Sequence, residues 1–157
     1  MKKKIAVVIL NWNGAEMMRR FLPSVVAYSD EAEVVVADNG STDHSIEMLR
    51  KEFPSVSLIL LDRNYGFAEG YNKALEQLEH PYALLLNSDV EVTEGWLKPL
   101  LDYMESHPNT AACQPKIRAQ RHPSAFEHAG AAGGYMDSLG YPFCRGRIMD
   151  VVEEDNG

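Results

Sequence analysis

Carboxylates and carboxamides gather in this chain directly behind runs of apolar residues, a placement that lets polar groups leave a core together. The run Tyr82-Ala83-Leu84-Leu85-Leu86 is followed at once by Asn87-Ser88-Asp89. Hard divalent cations such as Mg2+ and Mn2+ take oxygen ligands, and a site with one or two protein carboxylates completes its shell with substrate phosphates and water. Asp89 can anchor such a cation on a diphosphate, or it can cap the turn that follows. Asp38 ends Val34-Val35-Val36-Ala37 and precedes Gly40 and Ser41. Its carboxylate can accept from a base imide or a ribose hydroxyl, or from its own backbone in a tight turn. Asp43, five residues on, reads as the N-cap of the next helix, where free amides need acceptors.

Two further polar runs complete the set. Asn64-Tyr65-Gly66-Phe67-Ala68-Glu69-Gly70-Tyr71-Asn72 reads as a loop feeding a helix N-terminus, whose amides and dipole favour an anionic or polar ligand. Asn11-Trp12-Asn13-Gly14 follows the first apolar run, and Trp12 either stacks on a base or packs beside the sheet. That turn holds a single glycine, so the glycine fingerprint of a dinucleotide cofactor is missing, and no Gly-Lys-Ser or Gly-Lys-Thr marks a phosphate loop.

The elements that must position these residues follow from periodicity. Apolar runs at Lys4 to Leu10, Ala32 to Ala37, Val56 to Leu61 and Tyr82 to Leu86 predict strands buried on both faces. Amphipathic stretches at Ala15 to Tyr28, Asp43 to Phe53, Phe67 to Glu79 and Gly95 to His107 predict helices, the first kinked or divided at Pro23. In the second helix Ile46, Leu49 and Phe53 supply the apolar face. Alternation of strand and helix favours a mostly parallel α/β sheet with helices on both faces. Ligands of such a sheet bind beyond the carboxyl ends of the strands, at a switch in strand order, and the polar runs sit there. After Ile117 the glycines at 130, 133, 134, 140 and 146 break any regular period, which predicts loop and short strand.

Composition narrows the functions. The chain has 157 residues, 45% hydrophobic and 24% charged, which suits one soluble globular domain. A formal charge of -8 argues against nucleic-acid binding, which rests on Lys and Arg displacing counterions, and suits a bound divalent cation. Met1-Lys2-Lys3-Lys4 precedes an apolar run too short for a signal peptide, and no later run spans a bilayer. Cys113 and Cys144 make neither a disulfide framework nor a thiolate zinc site, and read as free thiols. His44, His80, His107, His122 and His128 show no metal-site spacing and read as surface or loop residues; His128, beside Glu127, can reach the cleft.

Four of these motifs, in order from residue 4 to residue 118, resemble glycosyltransferase family 2, whose members share the GT-A fold. They are the first strand ending near Asn13, the string from Val35 to Asp43, the spacing of Asn64, Gly66 and Asn72, and Leu85-Leu86-Asn87-Ser88-Asp89. The resemblance implies that Asn11, Trp12 and Asn13 lie along a nucleotide, with Asp38 on its base or ribose and Asn64, Gly66, Asn72 and Asn87 also binding substrate. It implies that Asp89 is the metal ligand of the family's Asp-x-Asp motif. Two acids of the family pattern are amides here, Asn39 and Asn87, as in a subgroup that looks like bacterial rhamnosyltransferases. Further implied are Mg2+ or Mn2+, a dTDP- or UDP-linked sugar donor, and a glycan or lipid-linked acceptor in cell-surface polysaccharide synthesis. The reaction is transfer with inversion of the anomeric carbon, in the cytoplasm or at the inner face of the plasma membrane, with peripheral membrane association through segments outside the chain.

The family's later acidic motif, which supplies the catalytic base, has no match in this sequence. Glu153, Glu154 and Asp155 read as a solvated tail. The expectation is therefore a single partial domain over 1–157, truncated at the carboxyl end of its sheet, with 119–157 its glycine-rich acceptor-side segment and the base beyond residue 157. Such a chain binds donor without efficient turnover. Competing readings are a non-catalytic nucleotide-sugar-binding module and a nucleotidyltransferase; the latter predicts a glycine-rich basic loop after the first strand, which is absent.

Overall fold

The computed structural model describes residues 3–126, 134–144, 147–148 and 151–152. The chain forms two compact units, Met1–Pro99 and Leu100–Gly157. The first runs β1 (Ile5–Asn11), α1 (Ala15–Ala27), β2 (Ala32–Asn39), α2 (Ser45–Glu52), β3 (Ser57–Leu61), α3 (Gly66–Leu75) and β4 (Tyr82–Leu86). All four strands are parallel, in the order β3-β2-β1-β4.

The two central strands are the ones whose every apolar side chain is buried or nearly so, because each has a strand on both sides and helices above and below. On one face Ala6 and Val8 of β1 and Val35 and Ala37 of β2 pack with Tyr71 and Ala74 of α3. The small residues let helix and sheet approach closely. Gly70 is the extreme case, since a Cβ there would stand 3.0 Å from Leu10 Cδ2 and from Asn39 Nδ2. On the other face α1 buries Ala15, Met18, Leu22 and Val25 at helical spacing, with Phe21 beside them. Fully buried side chains such as Met18 and Leu22 contribute about 1.5–3 kcal/mol each. The two faces follow from connection handedness: the chain steps one way through α1 and α2, then reverses through α3 to place β4 beyond β1.

Three expectations change. The edge strands are less buried than expected, β3 with no fully buried residue and β4 with only Leu86, while Leu60 is 47% and Leu85 51% exposed, because periodicity does not reveal which strand lies at an edge. Pro23 does not divide α1, which runs unbroken to Ala27. Pro23 lies on its exposed side, where water can replace the missing amide donor, and the buried stripe holds the helix together. In α2 the buried positions are Ser45, Met48 and Leu49, while Ile46 and Phe53 are half-buried, so its packed face is rotated from the expected one.

The second unit contains most of α4 (Lys98–Ser106) and short antiparallel pairs: β5 (Arg118–Ala119) with β6 (His122–Phe126), β7 (Gly134–Met136) with β8 (Pro142–Cys144), and β9 (Arg147–Ile148) with β10 (Val151–Val152). This is the loop and short strand that the glycines predict. Gly140 has φ +86° in the β7–β8 turn, and Asp137 Oδ1 accepts there from the amides of Leu139 (2.8 Å) and Tyr141 (2.9 Å). Glu127, His128, Gly130, Gly133, Gly146 and the acidic residues 153–155 lie outside the described residues. No helix among the described residues is long and apolar enough to cross a membrane.

Candidate functional site

Strand order reverses between β1 and β4, and an open cleft of about 440 Å³ lies over that switch point. Its lining comes from the ends of all four strands and the helices next to them: Leu10, Trp12 and Met17, then Asn39, then Asn64, Gly66, Phe67 and Tyr71, then Asn87, Ser88 and Asp89. Crevices at such a point are where open α/β sheets bind ligands.

Behind the lining, three loops are tied together by carboxamides. Asn11 and Asp38 are direct partners across the β1–β2 ladder, and Asn11 Nδ2 donates to Asp38 Oδ2 (2.9 Å) and Ser41 Oγ (3.2 Å). The other oxygen of Asp38 accepts from the Ser41 amide (2.9 Å), which closes a turn on its own backbone. Both side chains are buried, Asn11 and Asp38 each 1% exposed. Asn11 Oδ1 has no hydrogen-bond partner and lies against Gly14, where a Cβ would come within 2.6 Å of it. Asn13 holds φ +53°, a conformation Asn tolerates, and its Oδ1 accepts from the amides of Thr42 (2.7 Å) and Asp43 (3.2 Å).

Asp43 sits one residue before the N-cap position, which His44 occupies without a side-chain cap bond. Its oxygens accept from the first amides of two helices, Ser45 of α2 (3.0 Å) and Ala15 of α1 (3.2 Å). Asp43 is therefore not the N-cap that the sequence suggested, but its carboxylate serves the first amides of both α2 and α1 from one residue earlier. Partial burial opposes ionisation of Asp43, but the bonds from Ser45 and Ala15 outweigh it and hold the carboxyl below its usual range.

Asn39 joins the second loop to the third. Its Nδ2 donates to Asn64 Oδ1 (3.1 Å) and the Gly66 carbonyl (2.9 Å), while its Oδ1 accepts from the Tyr65 amide (2.9 Å). Gly40, at φ +71°, lets the two loops touch: a Cβ would meet the Arg63 backbone at 2.5 Å. Asn64 Oδ1 also accepts from the Gly66 amide (2.7 Å), which fixes the start of α3.

Of the residues singled out by sequence, the structure brings Trp12, Asn64, Gly66, Asn87 and Asp89 to the cleft. Asn11, Asn13 and Asp38 hold the loops from behind, and Asn72 is exposed on α3 away from the lining. Trp12 is 58% exposed, so it is not packed beside the sheet. Sequence reasoning missed Asn39, Met17, Phe67 and Tyr71 as lining residues. Phe67 is 67% exposed and meets Tyr71 edge-on, with centroids 5.0 Å apart. An aromatic in the first turn of a helix that faces a cleft was the available signal for it. Histidine exposure follows expectation at 44, 107 and 122, but His80 is largely buried, with Nε2 3.1 Å from Glu33 Oε2.

Asp89 is exposed and, among the described residues, is the only carboxylate lining the cleft, where no described lining residue is Lys, Arg or His. Among the described residues no three His, Cys, Asp or Glu side chains group into a metal cage. This donor set fits a cation that takes most of its ligands from a diphosphate and water, and does not fit a closed protein site.

A parallel sheet flanked by helices, with its polar cleft over the switch point, is an open α/β fold, and its match to solved structures of the same architecture makes it the GT-A fold. The model of the family described as "Glycosyl transferase family 2" matches residues 6–150, and the chain belongs to that family. It is 27% identical over 154 residues to N-acetylglucosaminyl-diphospho-decaprenol L-rhamnosyltransferase of Mycobacterium tuberculosis, covering 88% of this chain and 50% of that protein. It is 27% identical over 112 residues to the teichoic acid poly(glycerol phosphate) polymerase of Staphylococcus epidermidis, covering 68% and 15%. Among solved structures, S. aureus TarS 1-349 in complex with UDP superposes with a TM-score of 0.59 at 22% identity, over 74% of this chain and 40% of that one. The mannosyltransferase PcManGT from Pyrobaculum calidifontis, solved with GDP-Man and Mn2+, gives a TM-score of 0.57 at 20% identity, over 74% and 34%. The chain thus spans half the length of the mycobacterial relative and less of the others.

Proposed function

We propose that this chain is the donor-binding part of an inverting glycosyltransferase, holding a nucleoside-diphosphate sugar, dTDP- or UDP-linked, over the β1–β4 switch point with a divalent cation at Asp89. The observation that carries this reading is the lining itself. Among the described residues it combines exposed aromatic faces, carboxamides and one carboxylate with no cationic side chain, a lining that suits a diphosphate neutralised by a metal ion and by backbone amides. When bound, the cation, Mg2+ or Mn2+, stabilises charge growing on the leaving diphosphate. Trp12 and Phe67 offer ring faces to a base, and the Asn64 and Asn87 carboxamides offer donors and acceptors to ribose or sugar hydroxyls. Asn11, Asn13 and Asp38 act on the nucleotide through the loops they hold. Solved relatives carry UDP or GDP-Man with Mn2+, and curated relatives are named for polyprenol-linked and teichoic acid chemistry, which supports a lipid-linked or polysaccharide acceptor.

A second reading, a donor-binding module without turnover, is favoured by Asp89 being the sole carboxylate of the cleft among the described residues, none of which offers another lining acid to take the acceptor's proton. One experiment addresses both. UDP, dTDP and GDP are titrated into the chain with and without Mn2+, by calorimetry. Binding should tighten with Mn2+, and Asp89→Ala should lose that gain by about tenfold or more. Binding indifferent to Mn2+, or unchanged in Asp89→Ala, overturns the proposal. Sugar transfer to an acceptor by the same samples rejects the second reading.

A further inference from the structure

Tyr71 stands outside every role assigned above. It is 3% exposed, yet its ring lines the floor of the cleft, and its hydroxyl donates to the Leu86 carbonyl at 3.0 Å. Leu86 is the last residue of β4 and immediately precedes Asn87-Ser88-Asp89. The place of this bond in the sheet is specific. Pairing of β1 with β2 continues to Asn11↔Asp38, whereas pairing of β1 with β4 stops at Ile9↔Leu86. The two strands part there to open the cleft, and backbone groups that would have continued the ladder need other partners. The Tyr71 hydroxyl supplies one, donating to the Leu86 carbonyl. Burial raises the phenol's pKa, so the hydroxyl keeps its proton and stays a donor.

The helix that carries Tyr71 is fixed at its other end to the opposite side of the site. Asn39 grips the Tyr65 amide and the Gly66 carbonyl at the start of α3, and Gly70 seats the helix closely on Leu10 and Asn39, where a Cβ would stand 3.0 Å from each side chain. A displacement of the β4 end must therefore stretch the Tyr71 bond, because α3 has little freedom to follow.

We propose that the Tyr71 hydroxyl is the positioning group of the Asp89 site: tied to Leu86 where β1 and β4 part, it sets the stance of Asn87-Ser88-Asp89 relative to the Trp12 side of the cleft. This rests on the cation site proposed above. Groups that orient a metal ligand without touching the metal typically govern its affinity by 10–100-fold.

Tyr71→Phe keeps the ring and removes only the hydroxyl. Free Mn2+ is followed by electron paramagnetic resonance as protein is titrated in the presence of UDP, and UDP binding without metal is measured by calorimetry. Tyr71→Phe should weaken Mn2+ binding in the presence of UDP by about tenfold or more, and leave metal-free UDP binding within about twofold. Leu75→Ala, which loosens the same α3 core away from the lining, is the control: it should lower the unfolding midpoint without that selective loss. Unchanged Mn2+ binding in Tyr71→Phe overturns the proposal. So does an equal loss in Leu75→Ala, or a Tyr71→Phe protein that no longer folds, since the hydroxyl would then act through stability alone. Wild-type protein that binds UDP without any Mn2+ effect instead removes the cation site itself.

Discussion

Asn39 shows why an amide stands beside Asp38 where the family pattern has a second acid. Its Nδ2 faces two oxygens, Asn64 Oδ1 and the Gly66 carbonyl, and only its Oδ1 faces a donor, the Tyr65 amide. A carboxylate of the same shape would keep one bond, lose two, and press negative charge against both oxygens in a nearly buried position. Asn39→Asp should therefore cost about 1–3 kcal/mol near neutral pH, measured by denaturant unfolding. The folded protein would hold that carboxyl above its unfolded pKa. The penalty is then largest above the folded value, shrinks as pH falls through it, and disappears below the unfolded value of about 3.9. A penalty that is the same at about pH 7 and about pH 3.5 would show that lost packing, and not charge, is responsible.

At the scale of the element, Asp43 binds the starts of α1 and α2 to each other, one oxygen to each helix. Because its folded pKa is depressed, its contribution is complete above the unfolded value, near 3.8, and is lost as pH falls through the folded value. Asp43→Asn leaves one acceptor oxygen where two amides need one each, and should lower stability by about 1–3 kcal/mol near neutral pH. The gap to wild type should close on acidification, and a gap that persists in acid would place the effect elsewhere. Existence and order of the elements were legible because apolar period changes cleanly between β1, α1, β2 and the rest. Lateral facts were not legible. That Leu85 lies on an edge strand, that Asn11 faces Asp38 across a ladder, and that Tyr71 reaches the end of β4 all depend on strand order, which a single chain's spacing does not encode. The cleft was readable as polar strand ends, and Asn87-Ser88-Asp89, which line it, in particular. Its aromatic floor was hidden inside what reads as an ordinary helix.

For the whole molecule, the net charge of -8 means that an anionic ligand approaches an acidic surface, and the cleft lining adds Asp89 without a cationic side chain to offset it. In the proposed function, a cation bound together with a diphosphate would reverse that disadvantage at the cleft. Every described lining residue falls between Leu10 and Asp89, inside the unit Met1–Pro99. Ligand binding should then stabilise that unit selectively. With Mn2+ and UDP present together at about 100 times Kd, the added stability is about 2.7 kcal/mol, or roughly 100-fold slower hydrogen exchange for amides that exchange only by unfolding of the unit. The central strands β1 and β2 should show this slowing, and neither Mn2+ alone nor UDP alone should produce it in full. Amides of β5 and β6, in the unit Leu100–Gly157, should exchange as before. Slowing shared equally by both units would mean that the ligand engages residues beyond this cleft, whereas slowing by UDP without Mn2+ to the same extent would argue against the cation as the carrier of the diphosphate.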